Sequence, residues 1–114
     1  MRLAWEERDG ADLLDLSATG PAGSGLYLAV KPHAEEGLFR PLFVLGPGDA
    51  EGELGDGVAG RGHARDTLVK FAISELARRH RLPPATLRAE DDDPWAARAI
   101  AALWDLLASG PHGA

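Results

Sequence analysis

The chain has 114 residues, 45% of them hydrophobic and 26% charged, with a formal net charge of −6 and no cysteine. This is one ordinary domain with room for a single core, and the lack of cysteine excludes disulfides, thiolate metal sites and cysteine nucleophiles together. No apolar run reaches the length of a membrane span, and charged residues (Arg2, Glu6, Glu7, Arg8) stand where a secretory signal would be apolar, so a cytoplasmic protein is expected.

Residues 2–7 and 11–16 flank Asp9-Gly10. An Asp-Gly pair between two apolar-containing runs signals a hairpin, because Gly supplies the positive φ of the turn. Leu3 and Trp5 alternate with Arg2, Ala4 and Glu6, as in a half-buried strand. The loop Gly20 to Gly25 ends the second strand. Leu26 to Lys31 reads as a third strand and Gly37 to Leu45 as a fourth, with Pro41 suggesting a bulge or an edge. Residues 46–62 are a long acidic loop in which seven of 17 residues are Gly, and loops of this length are usually functional or disordered. From His63 to about Arg81 the apolar period becomes helical, with Leu68, Val69, Ala72, Ile73 and Leu76 on a broad face that ends before Pro83-Pro84. Residues 85–89 could form a short fifth strand. Asp93-Pro94 opens a second helix through about Ala108, with Ile100, Leu103, Trp104 and Leu107 inward, and Ser109-Gly110-Pro111 closes it. The sum is a single α+β domain. A four-stranded antiparallel meander (about 2–45) is followed by two helices (about 63–81 and 94–108) packed on one sheet face.

Composition narrows the chemistry. Asn and Gln are absent, Met occurs once, and ten Arg stand against two Lys. Depletion of the thermolabile residues is a trend of heat-adapted proteins, and the Ala, Gly, Arg and Pro content also fits a GC-rich genome. Four Ser, three Thr and Tyr27 leave few nucleophiles. Residues 1–60 carry a charge of −7 and residues 61–114 carry +1, while Arg61 to Arg81 alone carry +4. An acidic body argues against non-specific nucleic-acid binding. The basic segment could meet an acidic surface, including that of a second copy.

Several patterns are candidate sites. Gly55, Gly57 and Gly60 satisfy G-x-G-x-x-G, but the strand that should precede that fingerprint ends near Leu45 and the sheet reads antiparallel. Asp49, Glu51 and Glu53 alternate like the first ligands of a calcium loop, yet Leu54 and Gly60 occupy the positions of its Gly and bidentate Glu. Asp91-Asp92-Asp93 reads as a charged cap for the second helix. His33, His63, His80 and His112 contain no i, i+4 pair, so no metal site is expected. Trp5, Trp95 and Trp104 read as core, although Trp95, with Phe39 and Phe43 on a possible edge strand, could mark an interface.

Gly60-Arg61-Gly62-His63-Ala64 followed by Leu68, Phe71 and Ala72 resembles the pyrophosphate loop and helix of the acetyl-CoA-dependent N-acetyltransferases. The resemblance implies that amides of Gly60, Arg61, Gly62 and Ala64, with His63 beside them, would hold the cofactor's pyrophosphate at a helix N-terminus. Ala59 stands where that family has Arg or Gln three residues before Gly62. In the absence of a catalytic constellation, the expectation is a non-enzymatic protein-binding or assembly module, as a homodimer or with another protein partner, and no cofactor. Acyl-CoA binding or acetyl transfer through Gly60 to Ala64 is the alternative. Single-stranded nucleic acid on the sheet comes last, since its strands carry few basic residues.

Overall fold

The computed structural model describes residues 2–21 and 23–109. Its elements are β1 (Glu6–Arg8), β2 (Ala11–Asp15), β3 (Tyr27–Pro32), β4 (Leu38–Val44), β5 (Gly52–Glu53), β6 (Val58–Ala59), α1 (Arg61–His80) and α2 (Trp95–Ser109). The class is α+β, with one antiparallel sheet in the order β1-β2-β3-β4-β5 and with β6 also paired to β4. Asp9 (φ 53°) and Gly10 (φ 79°) are both left-handed, the type I′ geometry that matches the twist of a two-residue hairpin.

The inner face follows from the register. Leu14 sits opposite Leu28, which sits opposite Phe43, and Val30 sits opposite Asp12 and Pro41. Leu14, Leu28 and Val30 have no solvent exposure. α1 lies on this face against β3, β4 and β6, contributing Leu68, Val69, Ala72, Ile73 and Leu76 to the core. Phe43 packs against Phe71 of α1 with ring centroids 4.8 Å apart and the rings tilted by 51°. A Cβ at Gly52 would come within 2.5 Å of the Phe43 ring, so a glycine there lets β5 lie beside it.

Four details differ from the sequence reading. First, β1 is only three residues, so Leu3 and Trp5 keep their alternating burial without being paired in a strand. Second, residues 85–89 form no strand. The additional strands come from the Gly-rich loop, where β5 and β6 pair with different halves of β4. Third, β4 is therefore flanked on both sides and is not an edge, even though it contains Pro41. The Pro41 carbonyl accepts the Leu54 N–H at 2.9 Å, so its ring nitrogen also faces away from β3, toward the break between β5 and β6 where no donor is required. Fourth, α1 is the helix whose backbone runs close to the strands, while α2 packs on α1 and sends Ile100 and Leu103 into the same core as Leu14 and Leu28.

α1 begins two residues earlier than its periodicity suggests and ends at Arg81, whose φ of 55° is left-handed. The Leu82 N–H then reaches Ala77 O at 2.9 Å. Asp93 does not cap α2 as expected. Its carboxylate accepts the Glu90 N–H at 2.8 Å and closes a turn over 90–93. Among the described residues no helix is long and apolar enough to cross a membrane.

Candidate functional site

Two surfaces compete for a role: the N-terminal end of α1, which contains the residues singled out from the sequence, and the outward side of α2.

At the first, Gly60 adopts a φ of 88° and serves as the N-cap of α1 without any side-chain cap. The Gly60 N–H donates to Gly37 O at 3.3 Å, and the Ala64 N–H donates to Gly60 O at 3.0 Å. Those two amides are thus committed within the fold, and Ala64 is fully buried. The amides of Arg61, Gly62 and His63 are in the uncapped first turn, where an α-helix leaves its N–H groups without intrahelical partners. Gly62 and His63 are exposed.

The Arg61 side chain turns back to the hairpin. Its Nη2 donates to Gly10 O at 2.7 Å, and its Nη1 lies 3.6 Å from Glu7. Its guanidinium also sits 5.6 Å above the Phe39 ring. One turn on, Arg65 stands over Trp5 at 5.8 Å. The Nε atoms of both arginines lie 3.3 Å from Asp12 Oδ2, on the inner sheet face. None of these three atoms has a hydrogen-bond partner, so the contact is a buried ionic one rather than a directed bond. The arginines that could have met a phosphate are held by carboxylates, and this cluster reads as a clasp between hairpin and helix.

The other predicted groups are dispersed. Asp49 pairs with Arg79 at 2.6 Å near the far end of α1, and Arg40 pairs with Glu53 at 2.8 Å. That pair pushes the Glu53 carboxyl down and the Arg40 guanidinium up. The Glu35 N–H donates to His33 Nδ1, and His80 packs edge-on against Trp95. His112, Gly110 and Pro111 lie outside the described residues. No group of three or more metal-ligating side chains gathers among the described residues. On the sheet, Arg8 pairs with Glu6 and Arg40 with Glu53, which leaves Lys31 as the exposed basic residue of the strands outside these ion pairs.

The second surface was only half visible in the sequence. Ile100 and Leu103 are buried as expected, but Trp104 and Leu107 are half-buried and line an open groove of about 340 Å³ with Leu87, Ala108, Asp66 and Lys70. Trp104 Nε1 donates to Pro84 O at 2.7 Å, which brings the segment after α1 alongside α2. Leu87 is 62% exposed, the one large apolar side chain so placed among the described residues. α2 carries only Arg98 and Asp105 as charges in fifteen residues. A helix apolar around most of its circumference is ordinarily enclosed, whereas this one leaves Trp95, Ala101, Trp104, Leu106 and Leu107 half-buried. That scarcity of charge was the available signal. The approach of Leu87 to Trp104 was not readable, because it depends on chain reversal at Pro83-Pro84.

No protein-family model matches the chain. Comparison with curated proteins gives no significant match, and neither does comparison with solved structures.

Proposed function

We propose that this chain is a non-enzymatic binding or assembly module that engages a protein partner through the outward side of α2. One observation carries the reading. The exposed and half-buried positions of α2 bear two charges, Arg98 and Asp105, and one hydroxyl, Ser109, among Trp95, Ala101, Trp104, Leu106, Leu107 and Ala108. Apolar surface of this kind, rimmed by polar groups, is what protein contacts use. The shallow groove beside Trp104 suits an apolar side chain better than it suits a reaction, having Lys70 and Asp66 as its only titratable lining.

The test is a photo-reactive amino acid at position 101, in the middle of the outward side, compared with one at Glu36 in the exposed β3–β4 link. In the native cells, position 101 is expected to give a discrete protein adduct and position 36 none. No adduct at 101, or the same pattern at both positions, would overturn the reading. So would micromolar binding of acetyl-CoA that Gly62→Glu abolishes in folded protein, since that would give the free amides of Arg61, Gly62 and His63 the cofactor role of the alternative.

A further inference from the structure

The geometry points to a second copy of the chain as the partner, docked through an antiparallel, two-fold pairing of α2 with α2. The inference rests on the module reading above and deepens it. Arg98 and Asp105 are both exposed and are the only charges of α2. Seven residues is nearly two full turns, so they lie within about 20° of each other around the helix and about 10.5 Å apart along it. The midpoint falls between Ala101 and Ala102. A two-fold axis at that point, perpendicular to the helix, sets Arg98 of each copy against Asp105 of the other. Both ion pairs form at once because the patch is its own complement, which an isologous interface requires. A parallel pairing would instead oppose like charges.

The rest of the stripe is consistent with this. The small, half-buried Ala101 at the centre lets two helix backbones approach closely. Trp95 and Leu106, both half-buried, lie on one flank of the Arg98–Asp105 line, and the same axis brings Trp95 of one copy beside Leu106 of the other. Asp105 has no ion-pair partner among the described residues. Arg98 spends only Nη1, on Asp91 O at 3.0 Å. The alternative dimer surfaces are poorer. The β1 edge is three exposed residues, Glu6, Glu7 and Arg8, a charged and short edge of the kind that resists strand addition. The basic residues of α1 are largely paired within the chain, with Glu7, Asp12, Asp49 and Glu75.

The experiment is sedimentation of the purified full chain across a concentration series. The wild type should pass from monomer to dimer. Arg98→Asp and Asp105→Arg should each weaken the dimer about tenfold or more, since each places two like-charge pairs in the interface. An equimolar mixture of the two variants should restore it, because every pair is then Asp against Arg. A monomeric wild type overturns the proposal, as does a dimer that neither reversal weakens. If either reversal unfolds the domain, Ala101→Cys takes over. In a chain that otherwise lacks cysteine it should form a disulfide-linked dimer on mild oxidation, and failure to do so overturns the pairing. A monomeric wild type whose position 101 still crosslinks to a different protein removes the dimer and leaves the module reading standing. A monomer with no crosslink removes both.

Discussion

Tyr27 stands on the sheet face away from the helices, where its hydroxyl donates to the Glu51 carboxylate. That hydrogen bond is lost with the proton, and this pushes the Tyr27 pKa up to about 12, with partial burial and then the repulsion between phenolate and carboxylate adding to the effect. The sign follows directly. Because the folded value exceeds the ordinary value near 10, the bond's stabilisation is complete below that value and is lost as pH rises through about 12. Tyr27 is the only tyrosine in the chain, so its ultraviolet titration is uncontaminated. Glu51→Gln should move the midpoint back toward 10 without changing the fold, whereas an unmoved midpoint would mean that Glu51 is not the cause.

Between elements, the informative contact is the clasp of Arg61 and Arg65 on Asp12. Asp12 lies on the inner face with its side chain 5% exposed, while both arginines remain about a third exposed. Removing the carboxylate leaves two cations that can partly rehydrate, so Asp12→Ala should cost about 1–3 kcal/mol in denaturant unfolding. It should also speed amide exchange in β1 and β2. Glu7→Gln, at the exposed end of the same clasp, should cost less than about 0.5 kcal/mol. Equal costs would mean that the clasp is an ordinary surface ion pair. The elements themselves were legible where local chemistry sets them. Asp9-Gly10 dictates its turn, the short apolar-containing runs between turn signals give the strands, and the change to a helical period gives α1 and α2. β5 and β6 escaped notice because two residues each are too few to show a period. They become strands only through bonds lent by β4, across the turns that Gly55 (φ 76°) and Gly57 (φ 143°) permit. The strand expected at 85–89 fails for the converse reason. Its residues alternate well enough, but they pair with no strand of the sheet, and the Pro84 carbonyl just before them is taken by Trp104. Of the candidate site, Gly60 to Ala64 do open a helix. What the sequence did not reveal is that Arg61 points back to the hairpin.

Across the whole molecule, the charge split between the acidic first sixty residues and the basic start of the helical half is met in part within the chain. Arg61 meets Glu7 and Asp12, Arg65 meets Asp12, and Arg79 joins Asp49 to Glu75. Hydrogen bonds from Arg78 and Arg79 hold the Glu75 carboxyl at about 2, well below its ordinary 4.5. The stabilisation is therefore full above about 4.5 and is lost as pH falls through about 2. Thermal unfolding of Glu75→Gln should lie below the wild type at neutral pH, with the gap closing between pH 4.5 and 2. A gap independent of pH would assign the loss to packing.

The order of the sheet also has a consequence for synthesis. β1 to β5 each pair with a neighbour in sequence and β6 reaches back only as far as β4, so the sheet can assemble as it leaves the ribosome, from contacts that close short loops. Its greasy side, with Leu14, Leu28, Val30 and Phe43, must nevertheless wait for residues 61–80 before anything covers it. For the interval in which residues 61–80 are translated and leave the exit tunnel, the nascent sheet is a sticky half-sandwich. The short charged strand at its leading edge, Glu6 to Arg8, is then its main guard against pairing with the wrong chain.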